Sequence, residues 1–135
     1  MITRIVSKNF DIPNSHKLDV ALANGRYSSI DKLFSMAPDD VTAEVTKSGL
    51  RGKGGGGAAC GPKWELMPKN DPRPAYLIVN GDESEPGTFK DRQIFQYDPH
   101  LLIEGIICTC YAINAHHAYI YIRGEYKFFI DRLNE

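Results

Sequence analysis

Five glycines occupy the six positions from residue 52 to residue 57, and this segment constrains the fold more than any other. Each glycine inside a helix or strand costs roughly 1 kcal/mol relative to alanine, so neither element can run through it. The sequence therefore predicts a loop here. The composition shifts at Gly49, and we place a boundary after residue 50. Residues 1–50 are predicted to form an N-terminal strand and a helical hairpin, and residues 51–135 a second, α/β part.

The charge balance and the apolar patterning exclude several classes of protein. Sixteen Lys and Arg residues against 17 Asp and Glu residues give a net charge of -1, so there is no basic excess to bind nucleic acid. The apolar runs are far shorter than the roughly 20 residues that a membrane-spanning helix needs. The N-terminus alternates polar and apolar residues, unlike a signal peptide. We therefore expect a cytoplasmic protein that neither binds nucleic acid nor inserts into a membrane.

The N-terminal hairpin is predicted from helix start and stop signals. Ser28 and Asp31 resemble a capping box, which predicts a short helix over residues 28–36. Pro38 suits the first position of a second helix, and Gly49 is a plausible stop.

Two apolar runs flank a long amphipathic segment in the second part. Residues 75–79 and 118–122 are predicted strands, and residues 99–114 are a predicted helix between them. A strand, helix and strand of this length imply a βαβ unit with parallel strands and therefore an α/β fold. Its ligand edge is expected where the strands end. The chain from about residue 126 resembles the start of another helix.

The glycine-rich segment has two interpretations. Gly52, Gly54 and Gly57 have the spacing of a dinucleotide fingerprint, but that motif requires a strand before it, and a helix is predicted there. A flexible linker is one alternative. A phosphate-holding loop is the other, because glycine backbones can close around an anion. Three cations bracket the segment and favour the phosphate loop: Arg51, Lys53 and Lys63.

An acidic loop follows the first predicted strand, at residues 80–87. Asp82, Glu83 and Glu85 could simply form a solvated turn. Their position at the end of a parallel strand favours a second interpretation, in which they and Asn80 form hydrogen bonds to a ring or ribose edge. Lys63 and Glu83 would then be complementary partners for a polar ligand.

The cysteines and histidines indicate no metal site. Cys108 and Cys110 lie on opposite sides of the predicted helix, which favours core packing, and Cys60 is interpreted as a structural residue. Neither a disulfide framework nor a zinc ribbon fits three cysteines with this spacing. The histidines lack neighbouring ligands, so we assign no metal.

Five motifs together resemble the FMN- and NADH-binding subunit of respiratory complex I, the 51 kDa or F subunit. They are residues 48–55, 63–64, 80–92, 98–105 and 119–126. The resemblance runs from about residue 27 to residue 126, and the diaphorase subunits of NAD-linked hydrogenases and formate dehydrogenases share these motifs. It implies the N-terminal portion of such a subunit, with residues 51–135 as the first part of an incomplete Rossmann-like FMN-binding domain.

The resemblance also implies site residues and a reaction. Lys63 and the glycine loop would cradle the phosphate end of the flavin, the loop residues being Gly52, Lys53, Gly54, Gly55 and Gly57. Asn80, Asp82 and Glu83 would lie along the flavin and Glu85 near the nicotinamide, so that Glu83 and Glu85 are the candidate catalytic residues. NADH would pass a hydride to FMN, and electrons would leave to iron–sulfur clusters.

The resemblance implies partners, and two departures from the family pattern open an alternative. The partners would be the 2Fe–2S E-type and iron–sulfur G-type subunits of a peripheral arm on the cytoplasmic face of the inner membrane. The cysteines that ligate the family's 4Fe–4S cluster would lie beyond residue 135. Ala58 and Leu66 replace two family phenylalanines that sandwich adenine, which forfeits stacking of about 1 kcal/mol each. The alternatives are an FMN-binding or assembly module without NADH oxidation, or a diaphorase subunit; the isolated fragment is expected to be inactive.

Overall fold

The described structure, a computed structural model, covers residues 3–135 and contains helices around a two-stranded sheet. The predicted α/β class is confirmed. The first half holds α1 (Leu18–Ala23), α2 (Ile30–Ser35), α3 (Pro38–Ser48) and α4 (Cys60–Glu65). The second half holds β1 (Ala75–Gly81), α5 (Lys90–Tyr97), α6 (Pro99–Ile113), β2 (Ala115–Ile122), a 3₁₀ turn (Gly124–Tyr126) and α7 (Lys127–Asn134).

The two strands pair in parallel, as the βαβ pattern predicts. Val79 pairs with Ile120 and Gly81 with Ile122, so both strands end at the same edge. The crossover between them contains two helices, α5 and α6, of which only α6 was predicted. β2 also begins earlier than predicted, at Ala115 rather than at residue 118. Because Ala115 pairs with Ala75, residues 116–117 belong to the strand as well.

The sheet has one covered face and one open face. Helix α6 contacts both strands, and the side chains of β1 alternate between half-buried and exposed along the strand. The open face carries Tyr76 and Ile78 from β1, and Tyr119 and Tyr121 from β2. The Tyr76 ring stacks on the His117 ring across the strands, with centroids 5.7 Å apart.

A buried ionic cluster joins the chain before α2 to the start of α6. The Arg26 side chain donates from Nε to both Asp98 oxygens, at 3.0 and 3.1 Å, and from Nη1 to Glu104 Oε2 at 3.1 Å. Asp98 is 0% exposed. The neighbouring Tyr27 hydroxyl lies 2.6 Å from His100 Nδ1. These contacts cross residue 50, and the division of the chain into two units there remains a prediction.

The N-terminal segment differs from its prediction. Residues 1–2 of the predicted strand lie outside the described part, and residues 3–17 form bends and turns. An alternating pattern produces a strand only when another strand supplies the ladder hydrogen bonds, and here local bonds such as Ile12 N–H to Asn9 O take their place. The helix α1 that follows was not predicted. The capping box is also wrong, since the Ser28 hydroxyl donates to the Gly25 carbonyl.

Helix α4 begins directly after the glycine-rich segment, where no helix was predicted. It packs on α3, and Gly61 is the point of closest approach. A Cβ built on Gly61 would lie 2.5 Å from the backbone nitrogen of Thr46. Gly61 has a low helix propensity, but its lack of a side chain is what allows α4 to pack against α3.

Candidate functional site

The glycine-rich segment is a loop closed at its base. Arg51 and Ala59 form an antiparallel bridge, in which Gly52 N–H donates to Ala58 O at 2.8 Å. The Arg51 side chain also donates to the carbonyl of Gly57 at 2.9 Å. Gly55 and Gly57 have φ of +102° and +60°, in the left-handed region that favours glycine. The predicted loop is confirmed, and its two ends are held together.

The tip of this loop leaves space beside its backbone. A Cβ placed on any glycine from residue 54 to residue 57 would meet no heavy atom within 4 Å. A bound group can therefore approach the main chain closely at these positions. This openness and a lysine at residue 53 are what a phosphate loop requires, and the bridge that closes the base is not expected of a free linker.

The acidic loop follows β1 and is ordered by its own side chains. Asn80 Oδ1 accepts the N–H of Asp82 at 3.1 Å, and the Ser84 hydroxyl donates to the Asp82 carboxylate. Asp82 is half-buried, whereas Glu85 is exposed. The loop therefore offers two carboxylates to whatever lies beside the sheet edge.

Glu83 differs from its acidic neighbours because its side chain is 0% exposed. Its carboxylate accepts hydrogen bonds from the backbone N–H groups of Asp91 and Arg92, at 2.5 and 3.2 Å, and from Arg92 Nε at 2.9 Å. Burial raises the pKa of Glu83, but hydrogen bonds from Arg92, Asp91 and Tyr126 outweigh burial and leave the pKa below its ordinary value. The side chain is an ionised anchor for the start of α5.

A cavity of about 300 Å³ brings most of the predicted site residues together. It lies between the glycine loop and the acidic loop, at the carboxyl end of β1, where α/β proteins bind ligands. The sequence-predicted residues that line it are Lys53, Gly54, Gly55, Asn80, Asp82, Glu83 and Glu85. Thr88, Lys90 and Asp91, which the sequence analysis did not select, complete the lining.

Three predicted residues do not line this cavity. Gly52 and Gly57 lie towards the base of the loop, where the bridge closes it. Lys63 is exposed on α4, the helix that follows the loop. The two positions that replace family phenylalanines are also exposed, with Leu66 82% accessible at the end of α4.

Two residues that support the site were missed although they lie in the quoted motifs. Arg92 belongs to the 80–92 motif and Tyr126 to the 119–126 motif, and both contact the carboxylate of Glu83. Nothing local in the sequence pairs residues 43 positions apart. Spacing therefore could not identify Tyr126, although parallel pairing of β1 and β2 places both loops at the same edge.

A second cavity, about 360 Å³, lies at the opposite end of the strands beside Ala75, Asn114 and Trp64. None of the predicted site residues lines it. We favour the smaller cavity as the functional site because it lies at the carboxyl edge of the sheet and collects the predicted polar groups.

Across residues 3–135, His, Cys, Asp and Glu side chains form no group of three or more arranged to hold a metal ion. In the same part of the chain, no helix combines the length and apolar character needed to cross a bilayer.

Comparison with known families and proteins identifies relatives of the chain. Residues 45–135 match the family model of the Nuo51 FMN-binding domain. The Streptomyces coelicolor F subunit of NADH-quinone oxidoreductase is 47% identical over 135 residues, which is 100% of this chain and 30% of that protein. The corresponding protein of Aquifex aeolicus is 54% identical over 114 residues, or 84% of this chain and 26% of that protein. The chain thus spans less than a third of these relatives.

Two crystal structures of an NAD⁺-reducing [NiFe]-hydrogenase resemble the fold. The H₂-reduced state has 39% sequence identity and a TM-score of 0.69, covering 76% of this chain and 19% of that chain. The air-oxidized state has 32% identity and a TM-score of 0.73, covering 98% and 21%. The likeness extends over nearly the whole chain and supports the assignment of a partial Rossmann-like α/β domain.

Proposed function

Because the chain belongs to the family of the Nuo51 FMN-binding domain, we propose that it supplies part of the FMN site of an F-type subunit. The subunit would be that of an NADH:quinone oxidoreductase, which transfers a hydride from NADH to FMN and passes electrons to iron–sulfur clusters. The single observation that carries this proposal is the cavity shared by the glycine loop and the acidic loop. The names of the relatives are consistent with it.

The residues around the cavity fit a flavin mononucleotide. A phosphate needs cations and close backbone N–H groups, and Lys53 beside glycines with open space meets both needs. Asn80 and Asp82 place polar groups at the opposite wall. FMN, when bound, supplies the capacity to accept a hydride and release single electrons.

The chain's own residues would bind and orient rather than react. Lys53 would balance the phosphate charge, and Asn80 would orient the flavin by hydrogen bonding. Glu85, exposed at the cavity, is available to a nicotinamide. Glu83 was predicted to act through its carboxylate, but that carboxylate already accepts four hydrogen bonds, so we assign direct contact to Glu85 instead.

The larger assembly follows from the same proposal. An F-type subunit would associate with the 2Fe–2S E-type and iron–sulfur G-type subunits of a peripheral arm on the cytoplasmic face of the membrane. Any 4Fe–4S cluster of that subunit would be ligated outside these 135 residues.

Lys53→Ala is expected to weaken FMN binding about tenfold, because its side chain lines the cavity and an ammonium that meets a phosphate forms a charge-assisted hydrogen bond. FMN occupancy and Kd, read from flavin fluorescence on the complete gene product, test this. Lys47→Ala removes an exposed helical lysine elsewhere and serves as the matched control. Full FMN occupancy in Lys53→Ala would show that the phosphate end lies away from the glycine loop.

Glu85→Gln is expected to raise the KM for NADH about threefold or more while leaving flavin bound, because an amide accepts hydrogen bonds less strongly than a carboxylate. Glu85 is exposed at the cavity rather than used in the fold. Steady-state kinetics and the flavin-to-protein ratio measure the two effects separately. Glu44→Gln, on α3 and paired with Lys32, is the control. A loss of flavin with unchanged KM would assign Glu85 to the FMN side.

A second candidate is a diaphorase subunit of an NAD-linked hydrogenase, which the structural likeness favours. A third is an FMN-binding or assembly module that does not oxidise NADH, which the exposed Ala58 and Leu66 favour because neither can stack on adenine. Bleaching of the flavin absorbance by NADH tests the proposed function against the third candidate. Bound flavin that NADH cannot bleach would contradict the proposed function and support the third candidate.

A further inference from the structure

Two residues outside the cavity hold the wall of the proposed FMN site through Glu83. Arg92 Nε donates to Glu83 Oε2 at 2.9 Å, and the Tyr126 hydroxyl lies 3.2 Å from the same oxygen. The two backbone N–H groups at the start of α5 complete the set. A carboxylate has about four acceptor positions. Three of these bonds fall on Oε2 and one on Oε1, and the Glu83 side chain is 0% exposed, so the carboxylate serves the fold rather than a ligand.

Tyr126 is fixed in place by two cations. The guanidinium carbon of Arg92 lies 5.1 Å from the centre of the Tyr126 ring, and that of Arg123 lies 5.5 Å from it. Both distances fall within the range of a cation–π contact. Arg123 also donates from Nη1 to the backbone oxygen of Glu83 at 3.4 Å. The chain after β2 thus holds both the side chain and the main chain of Glu83.

The backbone of Glu83 requires such support. Its φ of +49° lies in the left-handed region, where a residue with a Cβ is disfavoured. Such a conformation persists when surrounding contacts determine it. Asp82, which directly precedes Glu83, lines the cavity, and so does Asn80, at the end of β1. A change in the Glu83 backbone would therefore move the polar groups that face the ligand.

We propose that Arg92 and Tyr126 are positioning residues for FMN: they touch Glu83, and Glu83 sets the acidic loop against the cofactor. This inference rests on the proposed function. It reassigns Glu83 from a catalytic residue to the anchor of the binding wall. It also predicts that FMN affinity depends on a hydroxyl that does not line the cavity.

Tyr126→Phe is expected to weaken FMN binding about tenfold, because it removes one hydrogen bond to a buried carboxylate and keeps the ring between the two cations. Arg92→Lys is expected to weaken it at least as much, since lysine lacks the fork that serves Glu83 and the Thr88 carbonyl together. The measurement is FMN titration by fluorescence on the complete gene product. The matched controls are Tyr76→Phe on the open sheet face and Arg73→Lys beside Asp71, which should leave Kd unchanged.

Hydrogen exchange of the unliganded protein separates positioning from general stability. Tyr126→Phe should accelerate exchange at residues 82–92 and leave exchange in α3 unchanged. An FMN Kd equal to that of the unaltered protein in both Tyr126→Phe and Arg92→Lys would overturn this inference and leave the proposed function intact. Failure of the unaltered protein to bind FMN would overturn both.

Discussion

Arg26→Ala is expected to lower the free energy of unfolding by about 3 kcal/mol or more, because removing one partner of a buried ion pair typically costs about 3–5 kcal/mol. The substitution leaves the fully buried carboxylate of Asp98 without its fork of donors and deprives Glu104 of its cation. The remaining charge has then lost its hydration without compensation.

Chemical denaturation of the Arg26→Ala variant measures this loss. Arg73→Ala is the matched control: Arg73 also pairs with an aspartate, but its side chain is 84% exposed, so no measurable change in stability is expected. A loss below about 1 kcal/mol in Arg26→Ala would mean that water reaches Asp98 once the guanidinium is gone. The ionic cluster of Arg26, Asp98 and Glu104 would then not be what holds the N-terminal chain against α6.

Gly61→Ala is expected to cost about 2–3 kcal/mol and to weaken FMN binding as well, because overpacking of this kind typically costs about 1–3 kcal/mol. The added Cβ would collide with Thr46 Oγ1 and lie 2.5 Å from Thr46 Cα and N. Backbone atoms inside α3 cannot move aside, so α4 must shift. Since α4 follows the glycine loop, which lines the cavity, the shift would reach the site.

Two further variants sharpen this second prediction. Gly56→Ala adds the same methyl group where no heavy atom lies within 4 Å, and we expect a stability change below about 0.5 kcal/mol. The double variant with Thr46→Ala should remain destabilised, because removing the hydroxyl leaves the backbone contact in place. Recovery of full stability in the double variant would contradict the backbone clash.

Elements with strong local signals were predictable from sequence. The run at residues 75–79 became β1. Helix α6 begins at Pro99 and ends before Asn114, as expected, and Asn114 has a φ of +55°. In the same way, α3 begins at Pro38 and ends before Gly49, which has a φ of +69°. These residues act through their own backbone preferences, so single positions suffice to predict the helix ends.

Elements that depend on distant contacts were not predictable. Helix α5 starts where the carboxylate of Glu83 accepts the N–H groups of residues 91 and 92, a stabilisation supplied from outside the helix. Helix α4 contains Gly61, whose low helix propensity is outweighed by its fit against Thr46. In α4 tertiary contact overrides local preference, and in α5 it supplies partners for the first N–H groups of the helix.

The candidate site shows the same division. Glycine spacing, the lysine beside it and the acidic run identified six residues of the cavity lining, because all are visible along the chain, and the family resemblance added Gly55. The buried state of Glu83 was not visible, since Tyr126 meets it only after the strands pair and Arg92 meets it only once the loop folds back on the start of α5. Whether a carboxylate in an acidic run serves a ligand or the fold is therefore decided by the hydrogen-bond donors around it, and not by the residues next to it in the sequence.

The closed base of the glycine loop has a thermodynamic consequence for any ligand in the cavity. The acidic wall is already held by Glu83, so a ligand meets it preorganised, whereas the open tip at residues 54–57 must lose backbone freedom on binding. Each residue fixed costs about 1–2 kcal/mol in conformational entropy. The backbone part of the unfavourable binding entropy should thus originate mainly on the glycine side, and the Arg51–Ala59 bridge limits that cost to the tip.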